Sequence, residues 1–143
     1  MIDLDTACRA EVVDLHDFFA AWFEGRLPDE EDAFARVADA LAEGFELIGP
    51  DGSRRGREEI LASIRSNHAS HAVADRSFAI RIERVEPRRL GGGLVLATYE
   101  EWQTIDGEEN GRVSSALFRR EPDAPRGVAW IHLHETRLPA GEG

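Results

Sequence analysis

The chain contains no lysine: all 17 of its basic side chains are arginine, set against 28 aspartates and glutamates. Schiff-base chemistry on a side-chain amine is therefore excluded. A formal charge of −11 argues against nucleic acid, whose binding rests on neutralising phosphates, and anionic membrane surfaces are disfavoured for the same reason. Cysteine is almost absent. Cys8 has no partner for an internal disulfide, so a cytoplasmic location is expected. No apolar run approaches bilayer length, and the opening residues Met1–Thr6 are acidic, without the basic-then-apolar order of a secretory signal.

What is present suits one globular unit over residues 1–143, since this length can bury a core of its own. Cys8, Val12, Leu15, Phe19, Trp22 and Phe23 recur at helical steps and predict a helix over 6–24, with Asp5 or Thr6 as cap and Gly25 as stop. Pro28 and the acidic run 29–32 open a second helix, carrying Phe34, Val37, Ala38 and Leu41 inward and ending near Gly44. Phe45–Gly49 reads as a short strand closed by a Pro50-Asp-Gly turn, and a third helix starts at Arg57 and frays at Asn67–His71. Strands follow over Ser77–Glu86, Leu94–Ile105, Arg112–Arg120 and Val128–Arg137, joined by glycine-containing turns or a proline-rich loop. Helices first and hairpin-linked strands afterwards give an α+β fold: three N-terminal helices on a mainly antiparallel sheet.

The last strand splits by period two. Ala129, Ile131, Leu133, Glu135 and Arg137 form the row expected to face the core. Trp130, His132, His134 and Thr136 form the other, expected at a subunit interface.

Three short motifs carry a family resemblance: Phe45–Gly52 ahead of Gly56-Arg-Glu-Glu-Ile60, the Phe118-Arg-Arg-Glu segment, and His132-Leu-His134-Glu-Thr136. With the element order, they resemble the nuclear transport factor 2-like superfamily, the cystatin-like cone. The more specific likeness is to its small single-domain members related to polyketide cyclases, ketosteroid isomerases and the calmodulin-dependent kinase association domain. The resemblance implies a strongly curved sheet wrapped on the first helix around a central pocket, with homodimerisation through the outer sheet face. It also implies that Glu100, Ser115 and Glu135 stand where the association domain places arginines, a departure that speaks against an anionic ligand. Function varies within the superfamily, so the fold does not supply it.

Two glutamates are the candidates for chemistry. If the row Leu96, Thr98, Glu100, Trp102 and the row Ile131, Leu133, Glu135 both face the pocket, Glu100 and Glu135 share an apolar cavity. One could then have a raised pKa and serve as general acid or base. The plainer alternative leaves both solvated at the rim. Phe18, Trp22, Phe45, Thr98, Trp102, Ser115 and Leu133 complete the expected pocket wall, although aromatic residues at such spacing are also plain core. His132 and His134 supply two ligands at most, with Glu101 or His68 as conceivable thirds, so no metal is expected. The single tyrosine, Tyr99, lies in the row opposite Glu100, which weakens an isomerase of the ketosteroid type. Ser114 and Ser115 lack a nucleophile-elbow context, and Gly91–Gly93 joins strands where a phosphate loop would open a helix. Arg54-Arg-Gly-Arg57 could receive an anion, but a solvated turn is the plainer account.

The reading that results is a small-molecule-binding cone whose ligand is uncharged or weakly polar and hydrophobic, forming a homodimer and using no cofactor. A cofactor-independent isomerase, dehydratase or cyclase is the first alternative. A non-catalytic association module is the second.

Overall fold

The computed structural model describes residues 3–72 and 78–139. Three helices, α1 (Leu4–Phe23), α2 (Glu31–Ala38) and α3 (Arg57–Ser66), accompany six strands. The strands are β1 (Leu41–Ile48), β2 (Arg54–Gly56), β3 (Phe78–Gly91), β4 (Leu94–Ile105), β5 (Glu108–Arg120) and β6 (Val128–Arg137). They form one sheet in the order β2-β1-β6-β5-β4-β3. Every neighbouring pair is antiparallel except β1 with β6, which is parallel, so the sheet is mixed and does not close. No helix among the described residues is long and apolar enough to cross a membrane.

Helix α1 starts two residues earlier than its apolar pattern suggests, because Asp3 accepts a hydrogen bond from the Thr6 amide (3.2 Å) and serves as the cap. The chain turns away just past its end at Gly25, whose φ of +74° only glycine adopts freely and where a Cβ would meet the Ala69 methyl at 3.0 Å. Its inward stripe of Leu4, Cys8, Val12, Leu15, Phe18 and Trp22 packs on the concave face of the sheet. The Trp22 indole donates to the Ile64 carbonyl (2.7 Å), which ties α1 to α3.

Helix α2 stops at Ala38, well short of Gly44, and Leu41 belongs to β1. Arg57 accounts for the early stop. Its guanidinium takes the carbonyls of Ala38 (2.6 Å) and Leu41 (3.0 Å), satisfying backbone acceptors as the chain leaves the helix. The short strand β2 carries no hydrophobic alternation and is held by pairing with β1. At the start of α3 the Gly56 amide donates to Glu59 (3.4 Å). Of the strand expected over Ser77–Glu86, which corresponds to β3, Ser77 lies outside the described residues.

Register shifts interrupt the sheet at several points, and two of them bear on the site. In β3 the register shifts between Glu83 and Glu86, where Arg84 has a φ of +56°. In β6 an extra residue, Ile131, stands between the pairs Phe118↔Trp130 and Leu117↔His132. Strict alternation fails at that point, so Trp130 and Leu133 both face the interior. The expectation that Trp130 lies with His132 and His134 at an interface is therefore corrected: it is 1% exposed.

Candidate functional site

Inside the cone lies a cavity of about 220 Å³. Leu15, Phe19, Phe23, Val37, Leu41, Phe45, Leu47, Ile60, Ile64, Trp130 and Leu133 make most of its wall. His16, Arg55, Ser63, Glu101, Arg112 and Glu135 supply its polar groups. Helix period, strand period and cross-strand pairing bring in three of these groups. His16 follows Val12 by four residues on α1; Glu101 follows Tyr99 by two on β4; Glu135 pairs with Ser114 across β5 and β6.

His16 and Glu101 form a buried pair at 3.2 Å. The His16 Nδ1 lies 2.7 Å from the Val12 carbonyl, which can only accept, so Nδ1 carries a proton. Burial by itself pushes the imidazole pKa down; the Glu101 charge, its hydrogen bond and the Val12 carbonyl overcome this and hold it above the ordinary 6.5. For Glu101, burial pushes upward, but the His16 charge and hydrogen bond and a bond from Gln103 (2.7 Å) bring it to about 2. The pair is thus an imidazolium and a carboxylate. Both ring nitrogens are engaged, which leaves His16 no atom with which to take a proton from a ligand.

Glu135 is different. It is 8% exposed, and among the described residues only Arg112 hydrogen-bonds to it, at 3.2 Å. Burial raises its pKa above the ordinary 4.5, and Arg112 offsets only part of that rise. Of the two cavity carboxylates it is the one whose pKa is raised. Beside this group, Tyr99 and Ser114 face one another across β4 and β5; the Ser114 hydroxyl is near enough to lower the Tyr99 pKa, but neither buried hydroxyl makes a well-formed hydrogen bond among the described residues. Burial, followed by the charges of Glu101 and Glu135, pushes the Tyr99 phenol well above 10, so it stays a neutral hydroxyl.

Of the residues expected at the pocket, Phe45, Leu133 and Glu135 are on the cavity wall. Phe18 and Trp22 are buried in the packed core of α1, away from that wall. Thr98, Glu100, Trp102 and Ser115 are on the opposite face of the sheet. The inward row of β4 is Val95, Ala97, Tyr99 and Glu101, and that of β5 includes Ser114 and Ala116. Glu100 accepts from the Trp102 indole (3.1 Å) and approaches Arg84 (3.5 Å). Trp102 lies flat over Gly111, where a Cβ would meet the ring at 2.6 Å. Both rows of β4 mix apolar and acidic residues, so period two alone does not choose between adjacent Glu100 and Glu101. Thr98, Ser115 and His134 share one register line, and Leu96, Leu117 and His132 the next, all on the outer face. His68 is engaged elsewhere, with Nε2 at 2.7 Å from the Leu27 carbonyl, and among the described residues no three potential metal ligands converge.

Residues 8–139 match the sequence model of the family described as sucrose-6-phosphate phosphohydrolase C-terminal. The chain belongs to that family. No curated protein matches the sequence. Among solved structures, this sucrose-6-phosphate phosphohydrolase C-terminal family member is similar to an NTF-2 like protein of unknown function from Pseudomonas aeruginosa. The identity is 22%, the TM-score 0.79, and the match covers 93% of this chain and 99% of the other. The CaMKII hub of S. rosetta aligns at 10% identity and TM-score 0.69, covering 93% and 95% of the two chains. A hexachlorocyclohexane dehydrochlorinase, LinA-type3 of Novosphingobium barchaimii, aligns at 14% identity and TM-score 0.65, covering 98% and 93%. At these identities the likenesses establish the nuclear transport factor 2-like, cystatin-like fold and nothing finer. The neighbours themselves divide into proteins of unknown function, an enzyme and an association domain.

Proposed function

We propose that this protein binds a small, mainly apolar molecule inside its cone. The observation that carries the reading is the cavity itself: an apolar chamber of about 220 Å³ with its polar groups gathered around Arg112 and Glu135. A cavity of roughly 150 Å³ lined by aliphatic and aromatic side chains already accepts a benzene ring, so an aryl group or a short acyl chain fits. A disaccharide phosphate, which the family's description brings to mind, suits this lining poorly, since most of its hydroxyls would lose their hydrogen bonds to water without replacement.

The test is native mass spectrometry of the untagged protein, followed by denaturing release and by titration with small aryl and acyl probes. A discrete bound molecule, or saturable uptake of a probe that is lost when Ser63→Phe fills the cavity, supports the reading. An empty protein that takes up none of the probes contradicts it.

A second reading, general acid–base catalysis without a cofactor, draws on Glu135, whose one hydrogen bond among the described residues leaves it able to serve a ligand. The base then differs from the Glu100 of the original pair, which faces away from the cavity. For assembly, we propose a homodimer through the outer sheet face, where Leu96, Leu117 and His132 lie in line. Light scattering should report a dimer that Leu117→Arg converts to monomer; a wild-type monomer would rule this out.

A further inference from the structure

The cavity opens toward a polar hollow of about 440 Å³ beside the β1–β2 turn, and the two share Arg55, Arg112 and Glu135. Arg137 and Asp51 also border the hollow. Three guanidinium groups thus meet two carboxylates in a chain whose overall charge is −11. The sheet register explains how they converge. Arg55 pairs with Leu47, and Leu47 with Leu133, so β2 carries Arg55 onto the concave face. Arg112 pairs directly with Arg137 across β5 and β6, two like charges side by side. Such an arrangement is unfavourable in itself; Glu135 offsets the charge of Arg112 and leaves that of Arg137 without an ion-pair partner among the described residues.

The pairing within the hollow is incomplete. Arg112 has Glu135, but neither Arg55 nor Arg137 makes an ion pair or a side-chain hydrogen bond among the described residues, and the Arg55 Nε–H is buried without an acceptor. Its neighbours in the basic motif are occupied: Arg54 approaches Glu46 (3.5 Å), and Arg57 holds backbone carbonyls. A buried N–H without an acceptor is costly, and a guanidinium matches the two oxygens of a carboxylate in a planar, bidentate fashion.

We propose that Arg55, Arg112 and Arg137 form an anion subsite at the mouth of the cavity, and that the ligand is a small carboxylate whose apolar body occupies the interior. The inference rests on the cavity-binding reading and sharpens it: the molecule is amphipathic and anionic, where the sequence pattern led us to expect an uncharged one. The carboxylate accepts from Arg55 Nε and from the Arg112–Arg137 pair, while the aryl or acyl body contacts Phe45 and Leu133.

Calorimetric titration with matched probes tests this: benzoate, hexanoate and 4-phenylbutyrate, their amides, and phenyl phosphate, each against wild type, Arg55→Gln, Arg137→Gln and the remote control Arg119→Gln. One charge-assisted hydrogen bond corresponds to about a ten-fold difference in affinity. The best carboxylate should therefore bind at least about ten-fold more tightly than its amide. Arg55→Gln and Arg137→Gln should each erase that margin without weakening the amide, and Arg119→Gln should preserve it. Equal binding of acid and amide would overturn the anion subsite while leaving the cavity reading in place. Tighter, arginine-dependent binding of phenyl phosphate than of any carboxylate would overturn the carboxylate assignment. No binding by any probe would remove the cavity reading and the subsite together.

Discussion

Two glutamate–arginine pairs inside the cone use the same chemistry to opposite ends. Glu11, on α1, is fully buried and saturated: it accepts two bonds from Arg36 (2.9 and 3.2 Å) and one from the Trp130 indole (2.8 Å). It joins α1, α2 and β6, and borders neither the cavity nor the hollow. Glu135, on β6, has one bond from Arg112 and faces both. Burial raises both carboxyl pKa values, with their arginines offsetting part of the rise. What separates them is the number of remaining partners. A saturated carboxylate clamps the fold, whereas an unsaturated one beside a cavity has capacity left for a ligand.

The comparison can be broken most forcefully at the clamp. Glu11→Ala leaves a guanidinium and an indole N–H without their acceptor and should cost about 3–5 kcal/mol in urea unfolding. A loss no larger than that of a surface variant would remove its structural role.

His16→Gln should rank next, at about 2–3 kcal/mol, because Glu101 then keeps only a neutral partner. Its pH dependence is more telling than its size. The imidazole pKa is raised on folding, so its contribution is complete below 6.5 and fades as pH rises through the folded value. That of Glu101 is complete above 4.5 and fades as pH falls toward about 2. The wild-type stability profile should carry both slopes, and His16→Gln should flatten the upper one. An unchanged upper slope would show that another group titrates there.

Glu135→Gln should shift stability by less than about 1 kcal/mol, since Arg112 keeps partial access to water. It should nonetheless change probe binding several-fold, in the sense of favouring a carboxylate once the competing negative charge is gone. Because the folded pKa of Glu135 is raised, wild-type stability also falls as pH climbs from 4.5 through that value, and the variant should lack this component. Glu100→Gln, on the outer face, should alter stability by less than about 0.5 kcal/mol and leave cavity binding unchanged. Altered probe binding there would return Glu100 to the site.

The order of the helices and longer strands was legible because hydrophobic spacing is the strongest local signal; β4 and β6 lie where their alternation places them, whereas β1, β3 and β5 extend beyond the expected limits and β2 was not read. The cavity was legible only in part. Phe45, Leu133 and Glu135 follow from parity, but the extra residue at Ile131 reverses the face of Trp130, and nothing in the strand's composition marks a bulge. Glu101 was hidden by its neighbour Glu100. His16 did leave a trace, four and eight residues after Val12 and Cys8 on the apolar stripe of α1, where a polar side chain needs buried partners. Arg55 showed only as part of the basic run 54–57, which could receive an anion; its inward position comes from the pairing of β2 with β1, a three-residue strand whose alternation is too short to read.

The most direct test follows side-chain carboxyl carbons by NMR as 4-phenylbutyrate is added to protein labelled at glutamate. If Glu135 marks the ligand end and Glu11 the structural end, the Glu135 resonance shifts saturably and the Glu11 resonance stays in place. A Glu11 shift equal to that of Glu135, or a Glu135 resonance unmoved at probe saturation, would contradict the division of the two pairs into clamp and site.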